Sequence, residues 1–142
     1  MREATGNALL VGMVTSMIAI IMIFFVGSLS YSKSYRIKNY IINIIEKNRG
    51  WSDSNAQTVN DYLKKVGYNM KSGNVCPSMN DHSCTLLNSN TSGYDYCIYQ
   101  CKDGGFDFYR VVTYMKFDFP VINNTLKFKV QGETKTFNSF NE

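Results

Sequence analysis

No Asp, Glu, Lys, Arg or His occurs between Glu3 and Lys33, and Ala8 to Val26 is almost wholly apolar. About 20 such residues suffice to cross the hydrocarbon core of a bilayer. A removable secretory signal has a shorter apolar core, about 7–15 residues, closely followed by a small-residue cleavage site. Gly27-Ser28-Leu29-Ser30 is a poor version of such a site, so the stretch reads as a retained transmembrane helix over about residues 8–29.

What remains of the 142 residues has room for one compact domain. Lys and Arg number 15 against 11 Asp and Glu, a formal +4, and no basic block exceeds Lys64-Lys65. That balance gives ordinary solubility and excludes a nucleic-acid footprint. Arg2 and the terminal amine precede the apolar stretch, while Lys33, Arg36 and Lys38 follow it. Positive charge alone would place the C-terminal side in the cytoplasm. The cysteines oppose this: Cys76, Cys84, Cys97 and Cys101 all lie beyond the helix, and paired cysteines persist in oxidising compartments. The cysteines weigh more, so the N-terminus is expected in the cytoplasm and residues 50–142 outside it.

Past the membrane the helix is expected to continue. Tyr31 to Lys47 holds neither Gly nor Pro, and Ile37, Ile41, Ile44 and Ile45 form one stripe at helical spacing. Gly50, just after Asn48 and Arg49, reads as its stop, giving one helix over 7–49. The stripe suits packing against copies of the same chain or against the protein's own sheet. Ser54 with Gln57 has capping-box spacing for a second helix to about Val66, with Ala56, Val59, Leu63 and Val66 on one face and Lys64 and Lys65 in the last turn.

Lys71 to Gly93 is rich in Ser, Asn, Gly and Asp and reads as a loop, long enough to need tethers. Three strand-like runs follow: Tyr94 to Cys101, Phe106 to Phe119, and Leu126 to about Phe137. Gly104-Gly105 supplies the positive φ angles of a tight hairpin, and Pro120 to Asn124 a longer reversal. Tyr109, Val111, Thr113, Met115, Phe117 and Phe119 share one face of the middle run, and Leu126, Phe128 and Val130 alternate with Lys127, Lys129 and Gln131. Such alternation predicts strands with one buried and one wet face. The fold class is α+β: a long transmembrane and amphipathic helix, a short second helix, and a small antiparallel sheet with a disulfide-tethered loop.

Chemistry-bearing patterns are sparse. Zinc knuckles space their ligands as C-x2–4-C, which only Cys97 and Cys101 approach. Two disulfides are the better reading, with a nested pairing (Cys76 with Cys101, Cys84 with Cys97) favoured among three connectivities that sequence alone leaves open. His82 is the only histidine, in the loop, and reads as exposed and functionless. The carboxylates form no evident acid–base pair, and phosphate-loop, G-x-S-x-G and H-E-x-x-H patterns are lacking. Aromatic residues, 14% of the chain, alternate with polar ones on the strands as core side chains do. No enzyme, cofactor or metal site is expected.

Thr5-Gly6-Asn7-Ala8-Leu9-Leu10-Val11 resembles the R-G-x-A-L-V-E-F opening of TadE- and TadG-like pseudopilins, which a prepilin peptidase cuts after the glycine. Val111-Val112-Thr113-Tyr114, Phe117-Asp118-Phe119-Pro120, Leu126-Lys127-Phe128-Lys129-Val130 and Thr134 are similar to the closing strands of those proteins. The resemblance covers the first helix and the last third, leaving the cysteine loop unmatched. It implies a leader at 1–6, processing between Gly6 and Asn7, and a subunit of a pilus or secretion apparatus in a bacterial cell membrane. Val11 stands where the family has a glutamate that pairs with a neighbouring subunit's N-terminal amine, which implies either failed processing or an initiating, tip or minor subunit. In such an assembly Gly12, Ser16, Ala19 and Gly27 would allow close helix contact. The partners would then be pilin-like or secretion subunits, or further copies of the chain. The alternative is a membrane-anchored extracytoplasmic binding module outside any filament; an anchored hydrolase ranks third.

Overall fold

The structure, a computed structural model, describes residues 2–68, 76–79, 83–88, 96–117 and 126–138. Helix α1 runs Arg2–Asn48, 47 residues and about 70 Å at 1.5 Å per residue. Helix α2 (Asp53–Lys65) follows, then strands β1 (Ser83–Asn88), β2 (Tyr96–Asp103), β3 (Phe106–Phe117), β4 (Leu126–Glu133) and β5 (Phe137–Asn138). The strands form one antiparallel sheet in the order β1-β2-β3-β4, with β5 also pairing β3. This is the expected α+β architecture.

The isoleucine stripe of α1 lies under the protein's own sheet. Ile37, Ile41 and Ile45 are fully buried with Val59 and Leu63 of α2, Tyr96 and Ile98 of β2, and Val111 of β3. Of the two surfaces that stripe could serve, it meets the intramolecular one. Ser34 and Thr113 meet at one end of the contact, while a Cβ on Gly50 would lie 3.3 Å from the Tyr109 hydroxyl at the other. Strand β3 therefore runs antiparallel to α1, back toward its apolar half. Strand β4 packs closest at Gly132, where a Cβ would come within 2.7 Å of Lys38 Cδ and 2.9 Å of Ile42 Cδ1, so a residue without a side chain is needed there.

Helix α1 stops one residue earlier than the glycine suggests. Arg49 adopts φ 52°, and the amides of Gly50 and Arg49 donate to the carbonyls of Ile45 and Glu46, a Schellman cap with arginine in the left-handed position. The side chain of Asn55 braces this corner, accepting from Asn48 at 2.7 Å and donating to the Gly50 carbonyl at 3.0 Å. Helix α2 has its N-cap at Ser52 rather than Ser54, and the expected capping box does not form: the Ser52 side chain makes no capping hydrogen bond, and the Ser54 carbonyl accepts from the Thr58 hydroxyl. Its buried face is Asn55, Val59 and Leu63, whereas Val66 is exposed. Gly67, φ 66°, closes α2 with a second Schellman pattern and sends Tyr68 into the core.

The sheet corrects two expectations. Residues 83–88, expected as loop, form the edge strand β1. The sheet also has no wet face at its centre: Tyr109, Val111 and Thr113 are buried on the helical side, and Phe108, Val112 and Tyr114 on the other. Cys97, Tyr99 and Cys101 share the second face, under Cys76, Met79 and Cys84. The cysteine-bearing segment is therefore a third layer, which alternation within β3 alone could not reveal. The β2–β3 turn is as expected, with Gly104 and Gly105 both at positive φ between the paired Asp103 and Phe106. The last strand-like run is broken after Glu133, where Thr134 Oγ1 accepts the Tyr109 amide and so takes the place of a backbone partner.

Candidate functional site

Two features stand out: the bare half of α1 and the disulfide layer. Every residue from Gly6 to Val26 is exposed; Leu9, Met17 and Phe24 are 69, 70 and 78% exposed. This helix is long and apolar enough to cross a membrane. Its hydroxyls are satisfied within the helix, Thr15 donating to the Val11 carbonyl at 2.9 Å and Ser16 to that of Met13 at 2.8 Å, as an apolar surrounding requires. At the upper end, exposed Tyr31 stacks on Tyr35, and Lys38 Nζ sits 4.3 Å over the Tyr35 ring. Amphipathic rings and cations in that position match the headgroup level of a bilayer.

Gly6 and Asn7 lie exposed in the first turns of α1, and nothing is within 4 Å of a Cβ placed on Gly6. Gly12, Ser16, Ala19 and Gly27 fall within roughly 80° of one another at 100° per residue, on the face that higher up carries Ile37, Ile41 and Ile45. The small residues thus continue the sheet-facing side of the helix. Nothing is within 4 Å of a Cβ placed on Gly12, and Ala19 is exposed.

All four cysteines are bonded, Cys76 with Cys97 and Cys84 with Cys101, and none is free. The nested pairing is therefore corrected. Cys84 and Cys101 are register partners on β1 and β2 with Cα atoms 4.0 Å apart. Cys97 lies four residues along β2, about 13 Å away at strand rise, beyond the roughly 7 Å that a disulfide spans. Cys97 instead holds Cys76, at 5.8 Å between Cα atoms. Beside them Tyr99 donates to the Pro77 carbonyl at 2.6 Å. Burial, then the nearby Tyr114, pushes the Tyr99 phenol up to about 12. Burial also raises Tyr109, reinforced by Asp107 and opposed by a hydrogen bond to the Trp51 backbone.

Among the described residues no three His, Cys, Asp or Glu side chains gather as a metal-holding group. His82 lies outside them. Two of the described carboxylates hold structure together: Glu46 accepts the Lys135 amide at 3.0 Å, and Glu133 accepts from its register partner Arg110. A groove of about 310 Å³ between α1 and α2, lined by Tyr40, Asn43, Ile44, Lys47, Asn48 and Thr58, offers one cation and no acid. Sequence reasoning passed over the Tyr31–Tyr35 pair, although two aromatics and a basic run directly after an apolar span were a readable interfacial signal. Comparison with known proteins finds no family model that matches this chain, no similar curated protein and no similar solved structure.

Proposed function

We propose that the chain is a membrane-anchored, pseudopilin-like structural subunit of a bacterial pilus or secretion apparatus, without enzymatic activity, whose folded domain lies outside the cytoplasm. The observation that carries this reading is the division of α1. Its upper half is covered by its own sheet, while its lower half presents large apolar side chains that nothing in the subunit buries. Such a surface must be covered by lipid, or by other helices once the subunit leaves the bilayer. The two disulfides support an oxidising location for the domain. Because the isoleucine stripe is already occupied, assembly contacts would run through the apolar half.

N-terminal sequencing of the mature protein, with crosslinking in intact cells, tests this. A start at Asn7 and crosslinks to pilin-like partners are expected. The double variant Gly12→Leu and Ala19→Leu should weaken those crosslinks while membrane retention and the domain fold persist. An intact Met1 with no crosslinked partner would leave the anchored binding module, a reading that Val11 in place of the family glutamate favours. A start near Leu29 would mean a secreted soluble protein.

A further inference from the structure

The outer edge of β1 carries backbone groups that no described residue takes up, and the ladder shows which ones they are. The amide and carbonyl of Tyr109 both bond Thr134, on the β4 side, and so point away from β2. Alternation then turns Phe108 and Arg110 toward β2, and their partners Cys101 and Tyr99 toward β3. Cys84 and Leu86, which face Cys101 and Tyr99, therefore turn their N–H and C=O groups outward. The 4.0 Å between the Cα atoms of Cys84 and Cys101 agrees, since antiparallel pairs that exchange no hydrogen bonds are the closer kind, about 4.5 Å against 5.5 Å.

A bare edge of this kind is a template for another strand unless something guards it. The opposite edge has a guard: the outward residues of β4 include exposed Lys129, the partner of Tyr114, whose own backbone groups go to Tyr68 on the β2 side. Strand β1, Ser83-Cys84-Thr85-Leu86-Leu87-Asn88, holds no charge, and Leu86 and Leu87 are 41 and 40% exposed. Its regular part ends at the bulge after Leu86, which leaves Cys84 and Leu86 facing outward on either side of Thr85. That arrangement is its own complement. Turned about a two-fold axis beside Thr85, Cys84 of one copy meets Leu86 of the other, and each such pair exchanges both backbone bonds. No like charges are opposed, and the two Leu86 side chains become diagonal neighbours on one face.

We infer that β1 is a self-pairing edge, through which two copies of the chain join their sheets antiparallel about a two-fold axis at Thr85. So short a ladder does not hold two free proteins together, because stable interfaces bury about 1,200–2,000 Å². The inference rests on the reading of α1 as a membrane anchor, which confines the copies to one surface and raises their effective concentration. The symmetry lets both anchors enter one bilayer. Rotation about an axis normal to the joined sheet leaves the component of α1 along that axis unchanged. Twist of about 20–25° per strand gives α1, which lies along β3 two strands from β1, such a component.

The test uses the full chain in liposomes, with Thr85→Cys mildly oxidised and run without reduction. A disulfide between the introduced thiols of two copies is expected, since facing residues of such a pair lie about 4.5 Å apart between Cα atoms. Ser83→Cys should give about tenfold less dimer, because its two copies would lie about 13 Å apart along the strand, beyond disulfide reach. Adding Leu86→Lys to Thr85→Cys should lower the dimer about tenfold through like-charge repulsion across the axis, while peptide mapping still recovers both native disulfides. Absence of dimer from Thr85→Cys overturns the inference, as does equal dimer from Ser83→Cys or dimer that survives Leu86→Lys. In the wild type, amide exchange over 84–86 should slow as copies per liposome rise; exchange independent of copy number overturns the inference whatever the variants do. A chain that does not float with the liposomes overturns the anchor instead, and the same crosslinks read in solution then decide the edge alone.

Discussion

The Tyr68 hydroxyl donates to the carbonyl of Tyr114 at 2.8 Å and accepts from the amide of the same residue at 3.2 Å. Antiparallel strands exchange both bonds between facing residues in this way. Among the described residues the β2–β3 ladder begins at Tyr96 with Thr113; Tyr114 is one residue past it, and a side chain from just beyond α2 takes both of these backbone bonds. Ser34 of α1 adds a third contact, its hydroxyl donating to the same carbonyl at 3.3 Å. Three elements are thereby joined where α1 leaves the domain for its bare half.

Tyr68→Phe keeps the ring in the core and removes both bonds to buried backbone groups. A loss of about 1–3 kcal/mol is expected, read by chemical denaturation in detergent. Ser34→Ala, which removes one bond to a carbonyl that Tyr68 still serves, should cost less. Equal effects would mean that the hydroxyl of Tyr68 is not acting as a strand substitute.

The disulfides give a second prediction. Peptide mapping without reduction should recover Cys76 joined to Cys97 and Cys84 joined to Cys101. Replacing Cys84 and Cys101 together by Ser should cost about 2–5 kcal/mol and free the β1 edge first. Peptides joining Cys84 to Cys97 would contradict the β1–β2 register as well as the pairing.

Alkaline titration follows from Tyr99, whose phenol is raised from 10.0 to about 12, chiefly by burial. The folded chain keeps this proton while the unfolded chain releases it, so stability is complete below about pH 10 and falls as pH climbs through about 12. The slope is at most about 1.4 kcal/mol per pH unit for one group. Tyr99→Phe should flatten the fall over that window, though not entirely, because Tyr109 is raised as well. An unchanged slope in the variant would assign the alkaline loss to other groups.

Elements with a local signature were legible in the sequence, and those made by distant contacts were not. The Ile37–Ile41–Ile45 stripe and the Gly104-Gly105 turn are local patterns, and both appear. Strand β1 was hidden because Ser83-Cys84-Thr85-Leu86-Leu87-Asn88 has no clean alternation; its pairing to β2 and the Cys84–Cys101 bond hold it. The nested disulfide expectation failed for the same reason, since register decides which cysteines face each other. The second buried face of β3 depends on a layer contributed some thirty residues earlier in the chain, Cys76 and Met79 against Phe108 and Val112. In the candidate site the apolar half of α1 was plain from charge spacing alone.

The two halves of α1 should respond oppositely to substitution. Ile41 is fully buried among α2 and the sheet, so Ile41→Ala removes packing that nothing nearby can replace and should cost about 2–5 kcal/mol of domain stability. Phe24, 78% exposed in the same helix, touches no part of the domain core, so Phe24→Ala should leave denaturation of the domain within about 0.5 kcal/mol of the wild type. Its effect should appear only where the bare half is covered, as weaker membrane retention or weaker crosslinking to neighbouring subunits. Measuring both variants in the same detergent separates the jobs of one continuous helix. Loss of domain stability in Phe24→Ala would mean that the lower half folds back onto the domain, and the reading of α1 as an outward-facing membrane and assembly element would fall with it.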